Sequence, residues 1–156
     1  MLRGGRSDGT EGTAVARWDY LMLAESARVE PGGSVSLLGG SFSRLMVPSL
    51  PVQTSLAVVG RAFMDPGEGP APVVIRMIGP DDTYRISAET LLDANTGGEP
   101  VEGIGLNIVF AMSLLAPLVK EGVYTVEAEI LETGETRSVS FRAALATPTD
   151  PSPQGG

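Results

Sequence analysis

VYTVEAEIL (123–131), ETGE (132–135) and TRSVSFRAAL (136–145) form the stretch whose reading decides the fold. In the first run, Tyr124, Val126, Ala128 and Ile130 fall on one side of an extended chain. Val123, Thr125, Glu127 and Glu129 fall on the other. Successive side chains of a strand point to opposite faces, so the first set is a core face and the second a solvated one. In the last run Val139, Phe141 and Ala143 point inward, while Ser138, Ser140 and Arg142 point outward. The four residues between them carry Gly134 where a hairpin needs a positive φ. Glu127 and Glu129 are therefore expected to face Arg137 or Arg142 across the hairpin, a gain of at most about 1 kcal/mol.

Working outward, the same period of two recurs. WDYLMLA (18–24), SVSLLGG (34–40), FSRLMV (42–47) and TSLAVVGRAF (54–63) read as extended, and so do VVIRMI (73–78), YRISAETLL (84–92) and LNIVFAM (106–112). Turn chemistry separates them at EPGG (30–33), DPGEGPAP (65–72), GPDD (79–82) and ANTGGEPVEG (94–103). Pro48 and Pro51 interrupt any ladder between the third and fourth segments. Residues 104–119 are the one helical rival; Gly105, Pro117 and the β-branched content favour a strand there, with a short helix near Ser113–Leu118 left open. The expectation is an all-β antiparallel sandwich, Ig-like, of eight or nine strands over residues 17–146. Residues 1–16 and the Pro/Gly-rich residues 147–156 are expected to be disordered tails.

Composition narrows the chemistry. The chain of 156 residues has no cysteine and no histidine. Disulfides, thiolate nucleophiles, Ser-His-Asp arrangements and His-based zinc sites are thus excluded. Carboxylates, tyrosine, arginine and the lone Lys120 remain. A net charge of −8, with the arginines spread along the chain, speaks against nucleic acid and anionic membranes as partners. The longest apolar stretch, 104–119, is broken by Gly105, Asn107, Ser113 and Pro117 and is shorter than a membrane span. The N-terminal residues lack an apolar signal-peptide core. These features predict a cytoplasmic protein without a cofactor.

Each candidate site has a plainer competitor. Gly39-Gly40 invites a phosphate-loop reading, but no lysine follows and no helical period begins, so the pair is read as a β-bulge or strand bend. Asp65, Asp81, Asp82 and Asp93, with Glu68, could offer calcium an acidic loop cluster, although none has the spacing of a calcium loop. Asp81-Asp82 and Glu127/Glu129 are candidate carboxylate pairs for acid/base work, against a turn and a hydrated face. Tyr124, just after a turn containing Gly122, reads either as a tyrosine corner of an Ig-like sandwich or as an ordinary core tyrosine. Trp18 is either a core plug at the sandwich end or an exposed contact residue, and the core reading is adopted.

One block resembles a known family. Tyr20, Ala24-Glu25-Ser26-Ala27, Leu38-Gly39-Gly40, Phe42, Pro48, Pro51 and Leu56-Ala57-Val58 are similar to the opening of an uncharacterised bacterial domain family common in actinobacteria. Asn107, Gly122-x-Tyr124 and the hairpin ending near Phe141 extend the likeness. The loop at 65–72 is richer in proline than that pattern, and both chain ends lie outside it. The resemblance implies a compact Ig-like β domain and no activity, cofactor or catalytic residue. The functional expectation is a non-catalytic protein-binding or assembly module, homo-oligomeric or with an unknown protein partner. The alternatives are a carboxylate enzyme or calcium- or carbohydrate-binding module, and a structural subunit of a phage-like or secretion-like particle.

Overall fold

A computed structural model describes residues 16–67, 69–94, 100–103 and 105–147. The two end segments expected to be disordered therefore lie, apart from Ala16 and Thr147, outside the described residues. Ten strands are present among the described residues. In chain order they are β1 (Arg17–Ala24), β2 (Ser26–Val29), β3 (Val35–Leu38), β4 (Arg44–Val47), β5 (Val52–Met64), β6 (Ala71–Ile78), β7 (Arg85–Leu92), β8 (Leu106–Leu118), β9 (Gly122–Ile130) and β10 (Glu135–Leu145). A 3-10 turn, Pro80–Asp82, joins β6 to β7.

The strands form a sandwich of unequal sheets. The larger has five strands in the order β4-β10-β9-β6-β7, the smaller three in the order β1-β5-β8, and β2 and β3 make a separate hairpin. Pairing is antiparallel except at the β4 edge, where Arg44–Val47 runs parallel to Arg142–Leu145. Between the five- and three-stranded sheets the chain crosses after β4, after β5, after β7 and again after β8, so its two faces are assembled from distant segments.

Alternation builds the core. Tyr124, Val126, Ala128 and Ile130 are wholly buried, and Val73, Ile75 and Met77 of β6 and Phe141 and Ala143 of β10 join them. The smaller sheet contributes Leu21, Leu23, Leu56, Val58, Ile108 and Phe110. Burying each large apolar side chain contributes about 1.5–3 kcal/mol relative to leaving it in water. An aromatic row crosses this interior. Phe42 meets the Phe141 ring edge-on at 5.5 Å, Phe141 stacks on Tyr124 at 5.4 Å, and Tyr84 lies 6.4 Å beyond. No polar or charged residue among those described is fully buried other than through this tyrosine.

Several expectations need correcting. The first extended run breaks at Glu25, and Ser26–Val29 pairs instead with Val35–Leu38 across the EPGG turn, which adds a strand to the nine segments legible in sequence. Residues 113–118 are strand and not helix: Ser113 through Leu118 continue the β8 ladder opposite Ala57 through Val52. Pro117 is tolerated because β8 is a sheet edge. Glu127 and Glu129 do not bond Arg137 or Arg142. The hairpin register sets Arg137 opposite Ala128, on the core side, and Arg142 opposite Val123, two places too far along. The carboxylates turn instead to Arg76 of β6, at 3.4 Å and 2.8 Å.

Candidate functional site

The acidic residues are dispersed by the topology. Asp65 follows β5 and Asp93 follows β7, at the end of the larger sheet where Ala71 pairs with Leu92. Asp81 and Asp82 sit at the other end of β6, roughly 25 Å away by strand rise. Each of that second pair has a cation: Lys120 Nζ lies 2.9 Å from Asp81 Oδ2, and Arg85 Nε lies 3.0 Å from Asp82 Oδ1. Among the described residues no three acidic side chains gather where they could hold a metal ion. Glu68 lies outside the described residues. The strand-face pair Glu127 and Glu129 shares Arg76, whose pKa rises through the bond to Glu129 first and to Glu127 second. That arrangement is an ion-pair ladder across β6 and β9.

Gly39-Gly40 ends a strand. β3 stops at Leu38, and Gly39, at φ +59, begins a tight turn that Ser41, at φ +64, completes before β4. The pair therefore bends the chain at the end of β3, where a β-bulge or strand bend was the expectation. A β-carbon on Gly39 would come within 2.6 Å of the Glu25 side chain. The Glu25 amide donates to Leu38 O at 3.0 Å, and the Ser41 amide donates to Leu23 O at 2.6 Å. The sequence motifs around Glu25 and around the two glycines are two halves of one corner.

Tyr124 and Trp18 are held on all sides. The Tyr124 hydroxyl accepts from the Val119 and Lys120 amides at 2.9 Å and 3.1 Å and donates to Lys120 O at 2.7 Å. It thus fastens the crossover between the two sheets to the strand that follows, which is the geometry of a tyrosine corner. Trp18 is 4% exposed, packs against Phe110 at 5.9 Å and donates its indole N–H to Glu135 O at 3.1 Å. Beside it, Arg137 donates to Asp19 O at 3.0 Å and to Trp18 O at 3.3 Å. Trp18, Glu135 and Arg137 together tie β1 to β10 and close that flank of the sandwich.

The opposite flank is different. β7 is hydrogen-bonded to β6 on one side only, and eight regular residues, RISAETLL, form its free edge. Its inner-face residues Ile86, Ala88 and Thr90 reach past the three-stranded sheet, and Ile86 keeps 38% of its surface exposed. Leu91, on the outer face, is 57% exposed. A slot of about 40 Å³ lies between β7 and β8, lined by Ile75, Met77, Ile86, Ala88 and Leu114 among others. Tyr84 closes one end: its hydroxyl donates to Pro117 O, and burial pushes its pKa up to about 12.

The other edges are guarded. β4 has four residues and runs into Pro48 and Pro51. β1 is tied to β10, and β8 carries Pro117 on its edge. On the outer face of the smaller sheet, Arg61 lies over Tyr20 and Phe63 at 5.9 Å and 5.5 Å, and Asp19 neutralises it at 2.9 Å. A proline, a short strand or a covering tie is how proteins keep sheet edges from pairing. β7 is neither short nor interrupted by proline, and the Tyr84 tie holds just its N-terminal end. Its exposure was not legible in sequence, because YRISAETLL looks like any other half-buried strand; only the sheet order makes it an edge.

Residues 19–143 match a family described as a family of unknown function (DUF6941). The chain belongs to this family. The matched region starts inside β1 and ends inside β10, so the family domain is this sandwich. No curated protein and no solved structure matches the chain. Among the described residues no helix is long and apolar enough to cross a membrane.

Proposed function

We propose that this protein is a non-catalytic binding or assembly module of the bacterial cytosol, Ig-like in style, which offers β7 to a partner strand. The observation that carries the reading is the unguarded edge: eight regular residues without proline, with exposed Ile86 and Leu91. An extended segment that adds to such an edge gains main-chain hydrogen bonds along its length and side-chain contacts at alternate positions. Absence of histidine and cysteine from the sequence is consistent with a role built on surface and not on reaction chemistry. The prevalence of arginine among the basic residues fits an actinobacterial source. The carboxylate or calcium reading gains nothing from acids set at opposite ends of β6.

The test is affinity capture from native extract with the wild-type chain and with Ser87→Lys/Leu91→Lys, whose lysines load the outer face of β7. A protein recovered by the first bait and lost with the second is the expected result. Recovery of nothing reproducible, or of proteins indifferent to the two lysines, overturns the reading.

A further inference from the structure

Resting on the reading of β7 as a binding edge, we propose that the strand it accepts is β7 of a second copy of this chain. The two strands pair antiparallel about a two-fold axis through Ser87, joining the larger sheets of both copies into one.

The segment is self-complementary. In an antiparallel pair, residues directly opposite share a face. With Ser87 on the axis, Arg85 of each copy stands opposite Glu89 of the other, and Ile86 stands opposite Ala88. Arg85, Ser87 and Glu89 lie on the outer face, as their partners Ile78, Arg76 and Val74 on β6 establish. Two ion pairs therefore form on one side of the joined sheet, while Ile86 and Ala88 meet on the other. Arg85 binds Asp82 through Nε alone, leaving the end of its guanidinium for a second carboxylate. Among the described residues Glu89 pairs with no cation of its own chain. The charges thus select the register. An axis through Ala88 sets Arg85 opposite Leu91, and an axis through Glu89 puts two carboxylates face to face.

The inner side fits the same occupant. The smaller sheet leaves Ile86 uncovered beside Leu114, and a two-fold copy brings an equal apolar strip to each. Such an isologous contact closes on itself and yields a dimer with both β7 edges used. Each chain carries a net charge of −8, which opposes approach at long range. Salt screens that repulsion beyond about 8 Å at physiological ionic strength, whereas the Arg85–Glu89 pairs act at contact.

The natural absence of cysteine makes cross-linking clean. In Ser87→Cys the two sulfurs meet on the axis, within the roughly 4.4–6.8 Å Cα separation that a disulfide accepts, and mild oxidation gives a covalent dimer. Ser138→Cys, exposed on β10, stays monomeric under the same treatment. In sedimentation equilibrium the wild-type chain is expected to show a concentration-dependent dimer. Arg85→Glu or Glu89→Arg each weakens it by about tenfold or more, and the double exchange R85E/E89R restores it. A wild-type monomer at every concentration up to about 500 µM overturns the proposal. So does an Ala88→Cys dimer with no Ser87→Cys dimer, or a double exchange that fails to recover. If the chain stays monomeric while the edge lysines still abolish capture of another protein, the binding reading stands and self-pairing falls.

Discussion

The two flanks of the sandwich are built from the same kinds of strand and end in opposite conditions. Where β1 meets β10, an indole, a carboxylate and a guanidinium bridge the sheets, and Trp18 is 4% exposed. Where β7 meets β8, one tyrosine hydroxyl ties the ends, Ile86 keeps 38% of its surface exposed, and Leu91 on the outer face keeps 57%. The difference follows from five strands packing on three. A sheet of three cannot cover a sheet of five; past the β1–β10 tie the overhang is the four-residue β4, whereas on the other flank it is the eight-residue β7.

That contrast can be broken first at the closed flank. Trp18→Ala removes the plug together with its Phe110 contact and the indole hydrogen bond to Glu135 O, and about 3–5 kcal/mol of stability is expected to go with it. Urea unfolding followed by circular dichroism measures it. Next comes the sheet crossover. Tyr124→Phe keeps the ring on Phe141 but leaves the Val119 and Lys120 amides and Lys120 O without their partner, at a cost of about 1–3 kcal/mol.

The tie at the open flank is sensitive to alkali. Tyr84 titrates near 12 in the fold, raised first by burial and then by Tyr124, against about 10 in an unfolded chain. Its folded pKa is the higher, so its contribution is intact below about pH 10 and is lost as pH rises through about 12. Thermal melts across that window should show stability falling, and Tyr84→Phe should flatten the fall. Smallest of all is the free edge itself. Leu91→Ser should move monomer stability by no more than about 0.5 kcal/mol, since the side chain is already in water. A larger loss in denaturant titration at high dilution would show that the edge is part of the monomer's own core.

Much of the fold could be read from alternation alone. The inward set on β9 and β10 was legible because Tyr124, Val126, Ala128, Val139 and Phe141 are each followed by a polar residue, and the turn at Gly134, at φ +75, announced the hairpin. The ion pair to Arg76 was not legible. Glu127 has neighbours on both sides in the sheet, and its sequence neighbour in the hairpin is Ser138, while Arg76 stands on the far side, fifty-one positions away along the chain. Gly60 was equally silent. It lies in an ordinary apolar run, yet a β-carbon there would sit 2.5 Å from the Phe110 ring, so its smallness makes room for the aromatic beside Trp18.

By itself the sequence determined the period of two, the turns between the runs, the apolar identity of the interior and the want of histidine and cysteine. Those are local or compositional properties, fixed by which side chains neighbour each other along the chain. Tertiary structure alone decided which strand became an edge, which acids stood apart and where Arg76 found its partners. Lateral order in a sheet comes from pairing between distant segments, and a strand's own residues look the same whether one side of it is paired or both.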